Sequence, residues 1–139
     1  VMDEVFNKME SGNAALAPYY AGDFYIMKEA NDDLEFVYPK EGTNIFVDSV
    51  CVPKTAQNFE AAMMYINFLL EPEVALANAE YICYASPNTS VIENEEYTYK
   101  DDPILYPNDE VKKNTQYFHD IAPEIRSHYE KLWMEVKLG

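Results

Sequence analysis

Every β-rich run in this chain is cut short by a proline. Pro18 falls inside the run 13–20, Pro39 stops the run 34–38, and Pro53 closes the run 45–52. Proline has no N–H to give a ladder, so it is confined to strand ends, edges and bulges. The sequence therefore offers two or three short strands. That is a thin sheet for a complete domain, and helices must bury most of the apolar surface.

Helical spacing fills the remainder. Met2, Val5, Phe6 and Met9 make one stripe, ended by Ser11 and Gly12. A second helix is expected over 24–30, with Asp23 as its cap. Phe59, Ala62, Met63, Ile66 and Leu70 mark a third, preceded by Thr55 or Asn58 as cap. Pro72 opens a fourth, running over about 73–81. Residues 86–108 carry Pro87, Pro103 and Pro107 and read as irregular, with short helical turns at most. The stretch 109–119 reads as a weaker helix. Ile125, Tyr129, Leu132 and Val136 form the stripe of a final helix that starts near Pro123. The order is α/β, with no internal repeat. Because the chain opens on Val1-Met2-Asp3-Glu4-Val5-Phe6, already helical in pattern, a fragment of a larger fold is expected.

The chain has 139 residues, 48% of them hydrophobic and 14% aromatic, which suffices for a real core and argues against disorder. Twelve Tyr and seven Phe stand against one Trp, Trp133. Tyrosine pairs an apolar ring with a polar tip and suits half-buried surfaces and ligand clefts. With 25 acidic and 10 basic side chains the net charge is −15. Nucleic acid and anionic membrane both demand a basic footprint, so neither is expected as a partner. Acidity of this size serves solubility, and it also concentrates cations at the surface. No run approaches the roughly 20 apolar residues of a membrane span.

Enzyme chemistry is not expected. The chain has four glycines, no Gly-rich phosphate loop and no G-x-S-x-G. His119 and His128 read as surface positions on late helices, away from any Cys or carboxylate pair of metal spacing. Neither a metal nor a cofactor is expected. Cys51 and Cys83 each lie in an apolar neighbourhood and read as buried free thiols, with a disulfide between them as the alternative.

Three stretches are more specific. From Ser11 the chain reads SGNAALAPYYAGD, then VYPKEGTNIFVDSVCVPKTAQNFEAAMMYINFLLEPEVALANAEYICYASPN, then YPNDE. In order and spacing these resemble the C-terminal portion of the spermidine/putrescine-binding proteins of bacterial ABC transporters. The resemblance implies part of a two-lobed α/β receptor of the type II periplasmic-binding-protein fold, hinged to close on its ligand. Residues 1–38 would belong to the second lobe and 39–48 would hold the inter-lobe hinge crossing. Residues 49–139 would be a helical remainder packing mainly on the first lobe.

A polyamine is an alkyl chain with ammonium groups at intervals, and it calls for carboxylates at the amines and aromatic walls along the methylenes. By the resemblance, Asp48 pairs with an amine; the alternative is a strand-end or hinge-capping residue. Phe46, two residues earlier, stands at a family tryptophan position and shares a strand face with Asp48; the alternative is a core phenylalanine. Tyr20 stands at another tryptophan position, with neighbouring Tyr19 turned away as a structural residue. Tyr84 matches a pocket-lining tyrosine. Two departures stand out. Phe118 falls where the family often has glutamine, with Gln116 two residues away, and no role is carried over. Asp23 replaces a serine of some relatives, either as a helix cap or as an extra acid for another amine.

The resemblance further implies an exported protein, periplasmic or lipid-anchored at the cell surface, that works with permease subunits. The rival readings are a receptor of the same fold for another small solute, and a sensory or protein-interaction module. A fragment of such a fold is expected to self-associate through uncovered edges.

Overall fold

The computed structural model describes residues 2–138. Among them, α1 (Met2–Glu10) and α2 (Ala21–Ala30) precede β1 (Thr43–Ile45). Four helices follow: α3 (Phe59–Leu69), α4 (Pro72–Ile82), α5 (Thr89–Ile92) and α6 (Asp109–Lys113). The short strand β2 (Thr115–Tyr117) then leads to α7 (Pro123–Leu138). Helix α1 packs on α2, α3 on α4, and α4 on α5.

The ends of α1 and α2 are tied together. Gly12 takes φ +70 after α1, and its N–H donates to the Met9 carbonyl at 3.1 Å, a left-handed stop that favours glycine. The Asn31 side-chain amide, just past α2, donates to the Met9 and Glu10 carbonyls, both at 3.2 Å. Two carbonyls at the end of one helix thus take a donor from the residue that ends the next.

The core lies between α4 and α5. Ala75 and Ala79 present a small-residue face of α4 to Val91 of α5, which is fully buried, and to Tyr97. Leu76, Tyr99 and Tyr106 close around them. Helix α5 is short but well capped, the Asn88 side chain accepting from the Ser90 N–H at 3.0 Å. Beyond it, one carboxylate organises the irregular chain. Asp102 accepts the Ile104 and Leu105 N–H groups, each at 2.9 Å, and the Tyr25 hydroxyl of α2 at 2.6 Å. The Tyr38 hydroxyl donates to the Ile104 carbonyl, and the Ser86 N–H donates to the Tyr106 hydroxyl at 2.9 Å.

Strands β1 and β2 pair in parallel, with Thr43 opposite Thr115, Asn44 opposite Gln116 and Ile45 opposite Tyr117. Gly42 makes the approach possible. Its φ is +109, and the Asn114 carbonyl oxygen occupies the place where a Cβ would stand. The Thr43 N–H donates to that same carbonyl at 3.2 Å.

Several expectations change. Residues 13–20 and 34–38 form no strand, because no neighbouring strand among the described residues offers them a ladder. The run 34–38 keeps the alternation of a strand all the same: Leu34, Phe36 and Tyr38 are partly buried while Glu35 and Val37 are exposed. Of the run 45–52 only Ile45 is paired, the strand starting two residues earlier than expected. The segment 109–119 divides into α6, capped by Asn108, and β2, since the β-branched Thr115 and its neighbours are drawn into the ladder with β1. Helix α2 begins at Ala21, which puts Asp23 inside its first turn. Tyr20 occupies the cap position without a side-chain bond. Both cysteines are free, and Cys51 is exposed rather than buried because its run packs against no second strand. Large apolar side chains stay uncovered on α3 and α7, among them Met64 at 73% and Trp133 at 59% exposure, and neither helix has a buried residue.

Burial is the first cause that raises the hydroxyls of Tyr25, Tyr97 and Tyr99 above the ordinary phenol value; Asp102, Tyr106 and Cys83 respectively add to it. A raised folded value means the fold holds these groups protonated while the unfolded chain ionises near about pH 10. Stability is therefore intact below that pH and lost as pH rises through the folded values. The urea midpoint should hold at about pH 9 and fall by about pH 11. In the same assay at neutral pH, Asp102→Ala should cost about 2–3 kcal/mol, since it leaves two N–H groups and a hydroxyl without their acceptor.

Candidate functional site: an aromatic trio beside Asp23

Tyr20, Phe46 and Tyr84 come from three separate segments and meet edge to face. Tyr20 ends the extended approach to α2, Phe46 follows β1, and Tyr84 follows α4. The Tyr20 and Phe46 ring centres lie 5.5 Å apart at 73°, those of Phe46 and Tyr84 6.5 Å apart at 66°. Such tilts suit the quadrupole of each ring, the positive edge of one meeting the negative face of the next. Tyr20 and Phe46 are each 42% exposed, so their surfaces are open to a ligand rather than consumed by the core. Tyr19 extends the row backwards, 5.8 Å from Tyr20 and 5.5 Å from Phe6 of α1. It is half-buried, and its ring meets that of Tyr20 rather than turning away from it as expected.

The ring of Tyr84 lies on the first turn of α2. Gly22 is buried there, and a Cβ added to it would lie within 2.7 Å of the Cγ, Cδ2 and Cε2 atoms of Tyr84. Next in sequence is Asp23, half-buried, beside the Tyr84 hydroxyl. Burial first, then the Asp23 charge, hold that hydroxyl well above the ordinary phenol value. Sequence reasoning weighed Asp23 as a cap and as an extra acid. It lies within the first turn of α2 rather than at the cap position, and it stands beside Tyr84.

Asp48 stands apart. It is exposed, and among the described residues its carboxylate has no hydrogen-bond or ion-pair partner. Strand β1 ends at Ile45, so no ladder enforces the shared face expected for Phe46 and Asp48. Gln116 sits in β2 opposite Asn44, and Phe118 beyond it is exposed. Among the described residues no group of three or more His, Cys, Asp or Glu side chains is placed to hold a metal, and no helix is long and apolar enough to cross a membrane.

The family of bacterial extracellular solute-binding proteins matches residues 4–107. The chain belongs to that family. Among curated relatives of this chain, the spermidine/putrescine-binding periplasmic protein of Escherichia coli (strain K12) is 33% identical over 137 residues, covering 99% of this chain and 39% of the relative. A putrescine-binding periplasmic protein of Pseudomonas aeruginosa (strain UCBPP-PA14) is 31% identical, covering 94% and 37%. Among solved structures, a spermidine/putrescine ABC transporter substrate-binding protein of Streptococcus pneumoniae superposes with a TM-score of 0.82 at 34% identity, covering 98% of this chain and 42% of the other. The chain thus spans about two fifths of the length of these relatives. Its fold is that of part of a substrate-binding protein, in keeping with the α/β fragment that the motifs imply.

The seat that Gly22 makes for Tyr84 was not read from the sequence. The sequence places Gly22 ahead of the helix expected over 24–30, where a glycine needs no packing reason. If Asp23 acts on Tyr84 as described, Asp23→Asn should lower the pH at which the Tyr84 Cζ signal titrates by NMR. The value should stay above that of a free phenol, because burial is the larger cause.

Proposed function

We propose that this chain is the C-terminal portion of the extracytoplasmic receptor subunit of an ABC importer, and that it supplies part of a polyamine site between two lobes. The aromatic trio carries this reading. Tyr20, Phe46 and Tyr84 offer ring faces to methylenes and to ammonium groups, each ring–cation contact contributing about 0.5–2 kcal/mol. Asp48, exposed and two residues past Phe46, supplies a carboxylate for one amine; Asp23, beside Tyr84, supplies a second. A net charge of −15 raises the local concentration of a polycation. The polyamine-binding relatives support the ligand class.

In this reading residues 1–38 belong to the second lobe, 39–48 form the hinge crossing, and 49–139 pack mainly on the first lobe. The uncovered apolar faces of α3 and α7 support that arrangement, since such stripes belong against another layer. The receptor works outside the cytoplasm, in the periplasm or lipid-anchored at the cell surface, and hands its ligand to permease subunits. It performs no bond chemistry and needs no cofactor.

Calorimetry on the full-length receptor with spermidine, putrescine, a neutral sugar and glutamate tests this. Polyamine binding is expected, weakened about tenfold or more (about 1.4 kcal/mol) by Asp48→Asn. Heat from the sugar or glutamate with none from either polyamine overturns the ligand class and leaves the family intact. The 139-residue chain by itself should sediment as dimers or larger species through the faces of α3 and α7; a monodisperse monomer overturns that expectation.

A further inference from the structure

We propose that Gly22 is the positioning residue for Tyr84: with no side chain at position 22, the tyrosine ring rests on the first turn of α2 and is held edge-on to Phe46. The inference deepens the ligand site proposed above, and its ligand consequence rests on that reading.

The backbone does not require a glycine here. Gly12 and Gly42 take positive φ, but Gly22 does not. It lies inside a regular helix, where alanine is the better helix former. What excludes a side chain is the ring of Tyr84, three of whose carbons lie within 2.7 Å of where the Cβ would be. Close ring-on-backbone approach is therefore the reason for glycine at this position.

Tyr84 is aimed at that seat from the other side. Cys83 ends α4 with φ 56, a left-handed conformation uncommon for a residue with a side chain. Its buried thiol accepts the Tyr99 hydroxyl at 3.1 Å, and its N–H donates to the Ala79 carbonyl at 3.1 Å. The turn at Cys83 carries the next residue off the α4 axis, and the bare first turn of α2 receives its ring. Turn and seat together leave Tyr84 in place before any ligand arrives, so binding need not order it. A methyl group at position 22 lifts the ring from α2, away from Asp23 and out of its tilt against Phe46.

Gly22→Ala, Tyr84→Ala and the double variant, each in the full-length receptor, test this with one readout free of ligand and one that uses spermidine. In Gly22→Ala the Tyr84 Cζ signal should titrate at a lower pH, and spermidine affinity should fall about tenfold. In the Tyr84→Ala background the same change should cost no further affinity and should raise the melting temperature, since only the helix preference of alanine remains. Should Gly22→Ala alone fail to fold, recovery of folding in the double variant supports the clash with the ring. An unmoved Tyr84 signal in Gly22→Ala overturns the inference. So does an equal loss of affinity in both backgrounds, which would place the role of Gly22 elsewhere in α2. If the unaltered receptor binds no polyamine, the ligand reading falls, while the Tyr84 signal and the melting temperatures still decide the positioning role.

Discussion

The Asp102 carboxylate ties the irregular chain after Tyr99 to α2, beside the ring contact of Tyr25 with Tyr99. One oxygen accepts two backbone N–H groups of its own loop, at Ile104 and Leu105, and the other accepts the Tyr25 hydroxyl from α2. A carboxylate with this many donors makes charge-assisted bonds, stronger than neutral ones. The loop it organises then presents the Ile104 carbonyl to Tyr38 and Leu105 to the interior. Val91 and Tyr97 hold the proline-rich stretch against α4, and the Asp102 anchor ties its later part to α2.

Tyrosine is the residue through which this chain packs. Among the described residues its sheet is one pair of three-residue strands, too small to cover a layer of helices. The interior is assembled instead from rings whose hydroxyls end on defined acceptors: Tyr25 on Asp102, Tyr38 on Ile104, Tyr99 on Cys83. Each such ring buries apolar surface and satisfies its polar tip at once, which phenylalanine and leucine cannot do. The row from Phe6 through Tyr19 and Tyr20 to Phe46 and Tyr84 uses the same material, but its later members stay half open. Packing and ligand chemistry therefore share one vocabulary here, and exposure distinguishes them. Tyr97 is buried; Tyr20 is not.

Helix stripes and their stops were legible in the sequence, because 3.6-residue spacing, Gly12 and Pro72 act locally. The meeting of Tyr20, Phe46 and Tyr84 was legible only through ordered family motifs, since nothing local in three distant segments demands contact. Strands fared worst. Leu34, Phe36 and Tyr38 alternate as a strand should, yet a strand exists only by pairing, and the partner is a property of the whole fold. Thr115–Tyr117 shows the converse: a segment that reads as the tail of a helix becomes a strand because Thr43–Ile45 lies beside it.

Residue order alone determined the apolar stripes of α1, α3 and α7, the family motifs and the acidic, tyrosine-rich character of the chain, because each depends on neighbours in sequence or on composition. Tertiary structure alone decided that Asp23 stands beside Tyr84, that Cys51 is exposed while Cys83 is buried against Tyr99, and that Gly22 lies under Tyr84. The physical reason is the same in each case: burial, ring contact and the acceptor of a hydroxyl are set by groups far away along the chain, and a linear pattern carries no record of which ones arrive.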